Sequence, residues 1–132
     1  MSKKSIVAVL KTSPETIIDD YSRLLDLAGI QDTLNKTKTT FLKVNVSWQH
    51  YYPACSSAPW QIEGVGKKLI SEGFSNIISA HNGTVVVDPR EGREKNKHSK
   101  AENRLGIDHL ILDEPPVKWI PFSPKSKMLV LD

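Results

Sequence analysis

The sequence predicts an α/β fold: a three-layer, mainly parallel sheet of the Rossmann-like β-α-β-α-β kind, with additional strands towards the carboxyl terminus. Two observations predict it. Short runs of apolar, β-branched residues recur without polar alternation, which is typical of strands buried on both faces. Between these runs, apolar residues repeat at helical spacing, and alternating strands and helices favour parallel strands joined by right-handed crossovers.

The first part of the chain supplies this unit. The predicted strands are residues 6–10, 40–46 and 76–80. The first helix opens at Ser13, a suitable cap, and stops at Gly29, because glycine readily adopts the left-handed conformation that ends helices. The second helix opens at Ala58 or Pro59 and stops at Gly73.

The rest of the chain is less regular. The apolar runs predicted as further strands are residues 84–89, 109–112, 117–120 and 128–131. The mixed charges of residues 90–100 predict a solvated loop. Residues 101–105 predict a helical turn that ends at Gly106.

Length and composition place the chain among ordinary globular proteins. The 132 residues are too few for two well-packed domains, so residues 1–132 are predicted to form a single α/β domain. Hydrophobic residues make up 39% and charged residues 25%, which argues against a disordered chain. The net charge of +3 is spread along the sequence and interleaved with acidic residues, which argues against a nucleic-acid partner.

The cysteine and histidine content restricts the chemistry. A single cysteine, Cys55, excludes an intrachain disulfide, and no iron–sulfur motif lies within this chain, so the cofactor is left unassigned. The four histidines never pair at i, i+3 or i+4, and no metal site is predicted. The apolar run 6–10 is too short for a signal-peptide core or a membrane span, so a cytoplasmic location without membrane attachment is predicted by elimination.

The polar residues that follow the predicted strands form a candidate site. Ligands of open parallel sheets bind beyond the carboxyl ends of the strands. The residues predicted to meet there and to bind a small anionic or carbonyl-bearing ligand are Lys43, Asn45, Ser56, Ser57 and His81. The serines precede a helix, whose free N–H groups favour anions. The lysine, asparagine and serine residues also have structural interpretations. A lysine at the edge of a sheet can extend its charged end into solvent, an asparagine can cap a turn and a serine can cap a helix.

Two further features lie in the loop before the second helix. Cys55 is a weak candidate nucleophile that would need His50 or His81 as a base, and it can equally be a small buried hydrophobe. Aromatic rings could stack on a flat ligand or hold the loop against the sheet, and we favour the second interpretation. The densest aromatic cluster of the chain comprises Trp48, His50, Tyr51, Tyr52 and Trp60.

Several short segments of the chain form a characteristic series. Its strongest elements are the strand end Lys43-Val44-Asn45, within residues 42–48, and the loop of residues 52–60. The other segments are residues 7–12, 85–89, 96–98, 114–116 and 128–132. In matching order, these segments resemble the amino-terminal part of a protein of the domain-of-unknown-function family 362, and the resemblance covers essentially the whole chain. It implies a longer protein without an established general activity, and some members carry ferredoxin-like iron–sulfur modules.

The sequence therefore supports two hypotheses. In the first, the domain binds a small ligand at the carboxyl-terminal edge of its sheet. In the second, it is a structural or interaction half-domain with no activity of its own, which needs a missing carboxyl-terminal half, a partner chain or a second copy. The apolar run 128–131 lacks a polar tail or closing helix after it, which together with the resemblance predicts the amino-terminal portion of a longer protein.

Overall fold

The computed structural model describes residues 6–122, which form five helices and three strands. The helices are α1 (Ile17–Leu27), α2 (Ile30–Thr33), α3 (Pro59–Ser71), α4 (Pro89–Lys95) and α5 (His98–Leu105). The strands are β1 (Thr40–Lys43), β2 (Ile77–His81) and β3 (Asp108–Ile111). No helix in this part of the chain is both long and apolar enough to cross a membrane.

The strands form one open parallel sheet in the order β1-β2-β3. Phe41 of β1 aligns with Ile78 of β2, and Ser79 of β2 aligns with His109 of β3. Each successive pair is joined through helices, α3 for the first and α4 with α5 for the second. The predicted α/β class with parallel strands is therefore confirmed.

The helices form one layer against one face of the sheet. Helix α3 lies in the middle and packs against α1 on one side and α5 on the other. Leu42 and Ile77 point into this layer, whereas the neighbouring Phe41 points to the opposite face and is 47% exposed. The main core comprises Ile30, Leu69, Phe74, Ile77 and Ile107, and a second cluster comprises Val44, Ile62 and Ala101. A second helical layer is not found among residues 6–122.

Helix α3 begins and ends where the sequence predicts. Ala58 has no side-chain oxygen to cap the helix, but the Gln61 side chain accepts a hydrogen bond from the Ala58 N–H at 2.7 Å, and Pro59 occupies the first turn. At the other end Gly73 has φ +87°, a conformation that favours glycine. Helix α1 begins at Ile17, later than predicted, because residues 13–16 form a turn in which the Ser13 carbonyl accepts the Thr16 N–H.

The prediction of a strand at residues 6–10 is wrong. The segment pairs with no strand in the described range, and Ile6, Val7 and Val9 are 77%, 82% and 84% exposed. The reason is tertiary. A strand that is apolar on both sides must be covered on both faces, and the helices cover only one. The β-α-β-α-β unit therefore starts one strand later and runs from β1 to β3.

The segment between β2 and β3 also differs from its prediction. The region 90–100, predicted as a solvated loop, contains most of α4 and the start of α5. Its mixed charges include a helical i,i+4 ion pair between Glu91 and Lys95, and Asp88 caps α4 by accepting the N–H groups of Arg90 and Glu91.

The remaining strand predictions have mixed outcomes. In place of a strand at residues 84–89, Thr84 and Val87 form an isolated bridge across a turn. The segment 117–120 is not a strand either, and residues 128–131 lie outside the described range. The strand predicted at 109–112 is confirmed as β3, one residue earlier.

Close packing between α1 and α3 leads to a stability prediction. A Cβ atom on Gly64 would lie 2.7 Å from the Cβ of Tyr21, an atom fixed to the α1 backbone. We expect Gly64→Ala to lower the free energy of unfolding by about 1–2 kcal/mol, because overpacking outweighs the helix propensity of alanine. Urea denaturation measures the change. Lys67→Ala, at an exposed position of the same helix, is the control. A more stable Gly64→Ala variant would show that the helices separate at little cost.

Candidate functional site

Four of the five predicted ligand-binding residues lie at or just beyond the carboxyl end of β1. The Asn45 N–H donates to Ser57 Oγ and the Ser57 N–H donates to the Asn45 carbonyl, both at 2.9 Å. The Ser47 N–H donates to Ser56 Oγ at 3.2 Å. The loop before α3 thus folds back along the extension of β1, and both serine hydroxyls take the place of strand acceptors.

Lys43 and His81 occupy different positions. Lys43 lies two residues before Asn45 and is exposed, and its Nζ donates to the carbonyl of Val44 at 3.1 Å. His81 ends β2 on the face covered by helices and is 1% exposed. The structure therefore brings Asn45, Ser56 and Ser57 into contact, leaves Lys43 nearby and places His81 in the interior.

A cleft of about 480 Å³ opens in front of α3 at this edge, and we call it the α3 cleft. It is lined by residues 51–54, residues 56–61 and Asn96. Its volume lies within the range of small-molecule sites. None of the lining side chains carries a charge, so the α3 cleft is uncharged and combines apolar side chains with a few hydrogen-bonding groups.

Several hydrogen-bond donors in the α3 cleft are not used by acceptors of the protein. Ser56 and Ser57 use their hydroxyl oxygens as acceptors, so each O–H remains able to donate. Gln61 uses its amide oxygen to cap α3, which leaves its NH2 group for a ligand. At the start of α3 the N–H groups of Gln61 and Ile62 donate to the Ala58 carbonyl, and the Trp60 N–H forms no hydrogen bond within the described part of the chain. The cleft is suited to a ligand that presents oxygen acceptors.

Cys55 lies beside this cleft and does not line it. Its side chain is half-buried, its N–H donates to the Tyr52 carbonyl at 3.2 Å, and its carbonyl accepts from the Asn45 amide. His50 instead contacts Lys95, and His81 is bonded to the carbonyl of Pro89. Neither histidine forms a hydrogen bond with the Cys55 thiol in the described part, so this arrangement does not activate a nucleophile.

A second cleft of about 560 Å³ runs along the free edge of β3 and is more highly charged. Its two arginines are already paired: Arg90 with Glu114 at 2.8 Å and Arg93 with Glu102 at 2.6 Å. Three carboxylates line it: Glu94, Asp108 and Glu114. Because its cations are neutralised and its carboxylates would repel an anion, this cleft is a poor site for an anionic ligand.

The interior between α5 and the sheet holds a polar cluster that the sequence did not predict. Glu102 of α5 is fully buried and accepts hydrogen bonds from Ser79 at 2.5 Å, His109 at 3.0 Å and Arg93 at 2.6 Å. Burial by itself would raise the pKa of Glu102, but the hydrogen bonds from His109 and Ser79 outweigh it and lower the pKa to about 2. Glu102 is thus an ionised, internally neutralised anchor for α4, β2 and β3.

Three buried histidines share one pattern around this anchor. In each, one ring nitrogen is bonded: His81 to the Pro89 carbonyl, His98 to the Ser57 carbonyl and His109 to Glu102. The other nitrogen is buried without a partner among the described residues. Burial, and then the charge of His109, lowers the pKa of His81 to about 4, and burial also lowers the pKa of His98.

The geometry of this cluster does not match a catalytic or metal site. Ser79 and Glu102 both face Nδ1 of His109, whereas a catalytic triad places nucleophile and carboxylate on opposite ring nitrogens. Across residues 6–122, no group of three or more His, Cys, Asp or Glu side chains could hold a metal ion. One sequence signal could have indicated the buried cluster. Ser79 and His81 alternate with apolar residues in β2, so both point to the same face of the strand, which is the face that the helices cover.

The two groups of polar residues therefore have different characters. The buried cluster satisfies most of its own charge and hydrogen bonds, and its remaining nitrogens are closed off from solvent. The α3 cleft is open to solvent and offers hydrogen-bond donors.

Comparisons of the chain with protein-family models, with curated proteins and with solved structures found no match.

Proposed function

We propose that the domain binds a small anionic or carbonyl-bearing ligand in the α3 cleft. The observation that supports this proposal is the set of free donors: the Ser56 and Ser57 hydroxyls, the Gln61 amide and the Trp60 N–H, with no carboxylate among the lining residues. Donors without competing negative charge favour ligand oxygens. Asn45 holds Ser57 in place, and the exposed Lys43 adds a positive charge at the same edge.

Thermal denaturation in the presence of inorganic phosphate, acetate and benzoate, at constant ionic strength, tests this function. A ligand that binds only the folded state raises the melting temperature. We expect Ser57→Ala to weaken binding by about fivefold to tenfold, the value of one hydrogen bond, and Lys43→Ala to weaken it less. Ser71→Ala is the matched control, because Ser71 donates to the Lys68 carbonyl far from the cleft. Absence of a shift with all three anions would contradict the proposal.

We also propose that the chain belongs to the family that it resembles and forms part of a larger three-layer fold. The resemblance of Lys43-Val44-Asn45 and of residues 52–60 to the domain-of-unknown-function family 362 supports membership. A complete three-layer, Rossmann-like sheet would require a layer over the face that carries Phe41 and Ile78, and further carboxyl-terminal strands would have to come from outside residues 6–122. A cytoplasmic location remains the location we propose.

The second candidate function is an interaction half-domain, and one observation favours it. Large apolar side chains are exposed on the sheet face opposite the helices, where Phe41 lies, and in the flanking segments. Those of the flanking segments include Val7, Val9, Trp119, Ile120 and Phe122. A partner that covered these side chains would remove their apolar surface from water. Analytical ultracentrifugation distinguishes the candidates: a monomer at all concentrations favours ligand binding alone, whereas a concentration-dependent dimer favours a second copy as the partner.

A further inference from the structure

Three aromatic side chains surround the α3 cleft and remain open to solvent. Tyr51, Tyr52 and Trp60 line it and are 57%, 68% and 45% exposed. Trp48 of the same loop differs, because its ring packs edge-on against His50 with centroids 6.0 Å apart and does not line the cleft. Within the described residues, the three cleft rings stack on no other aromatic ring. Each of the three side chains therefore keeps exposed surface that a ligand in the cleft can contact.

The charge of the cleft restricts the ligand further. No lysine, arginine or histidine lines it, so a phosphate dianion or a polyphosphate would find no ionic partner there. A single carboxylate or carbonyl needs only two or three hydrogen-bond donors, which is the number that the serine hydroxyls and the Gln61 amide provide.

From these two observations we propose that the ligand of the α3 cleft is a planar aromatic compound that carries one carboxylate or carbonyl group. Its oxygen atoms accept hydrogen bonds from Ser56, Ser57 and Gln61, and its ring stacks on Trp60 or a neighbouring tyrosine. This inference rests on the proposed function, since it names the class of ligand that the same cleft selects. Aromatic side chains stack on many kinds of ring. The class of ligand is therefore defined by a planar ring and by a carboxylate or carbonyl oxygen that accepts hydrogen bonds.

A pair of matched carboxylates tests the inference on the full chain. Benzoate and cyclohexanecarboxylate have the same charge and similar size, but only benzoate is planar and aromatic. Titrations are followed by the indole N–H signal of Trp60 in proton–nitrogen correlation spectra, assigned by its loss in Trp60→Leu. We expect benzoate to bind at least about fivefold more tightly than cyclohexanecarboxylate, the value of one stacking contact. The saturated ring is the more hydrophobic of the two, so this order cannot come from apolar burial.

Variants make the outcome specific to the cleft. Binding to the variants is measured by the rise in melting temperature, because Trp60→Leu lacks the indole signal. Trp60→Leu and Tyr52→Leu should reduce the preference for benzoate. Trp48→Leu should retain it, because Trp48 is an exposed tryptophan of the same loop outside the cleft. Equal binding of both carboxylates, or binding of inorganic phosphate alone, would overturn the aromatic inference and leave the proposed function standing. No binding of benzoate, cyclohexanecarboxylate or phosphate would overturn both.

Discussion

Replacing Glu102 by glutamine is expected to lower the free energy of unfolding by about 3 kcal/mol, the largest effect we expect from a single substitution. The wild-type carboxylate accepts hydrogen bonds from Ser79, His109 and Arg93 while fully buried. A glutamine offers one oxygen in place of two and turns an NH2 group towards donors. It also leaves Arg93 without its buried counter-charge. Urea denaturation followed by circular dichroism measures the change.

Glu94→Gln is the matched control for this substitution. It makes the same chemical change on the neighbouring helix, at a side chain that is 67% exposed. Its carboxylate accepts from Ser99, a role that an amide oxygen can also fill. We expect a change within about 0.5 kcal/mol, as for most surface positions. If both variants lost the same stability, the buried network would not be the anchor that its geometry indicates.

Acidification is expected to destabilise the domain by up to about 3 kcal/mol between pH 6.5 and 4 through His81. The pKa of His81 is about 4 in the folded state, below its ordinary value of 6.5. The unfolded chain therefore binds a proton in this window that the folded chain does not, and stability falls with falling pH. His98 acts in the same direction, because burial lowers its pKa as well.

The charged groups around His81 extend the loss of stability to lower pH. His98 and His109 oppose the protonation of His81, and Glu102 favours it. The pKa of Glu102 is itself lowered from 4.5 to about 2, so its contribution to stability is present above pH 4.5 and is lost as the pH falls towards 2. The domain should therefore continue to lose stability after His81 has titrated.

The slope of stability against pH isolates the His81 contribution from any general effect of substitution. His81→Gln keeps a donor for the Pro89 carbonyl and removes the titration, so its free energy of unfolding should change less between pH 6.5 and 4 than that of the wild type. Equal slopes for wild type and His81→Gln would disprove the assignment.

Local sequence signals predicted much of the fold. Three strand positions, the parallel arrangement and both ends of α3 follow from apolar runs, proline and glycine, because these residues act on the backbone next to them. The candidate site beyond β1 was likewise inferred from the sequence, since Lys43 ends a strand and the asparagine and serines lie between that strand and the next helix. The prediction of a loop at residues 90–100 was wrong, because a mixed-charge pattern is typical of a solvated helix face as well as of a loop.

The sequence by itself determined the α/β class, the approximate strand positions and both ends of α3, and it indicated the sheet edge on which the candidate site is proposed. Only the tertiary structure decided that residues 6–10 pair with no strand in the described range, that His81 is buried and that Glu102 joins side chains from α4, β2 and β3. The reason is physical. Backbone preferences and caps act within a few residues, whereas burial and buried hydrogen bonds depend on which elements pack together.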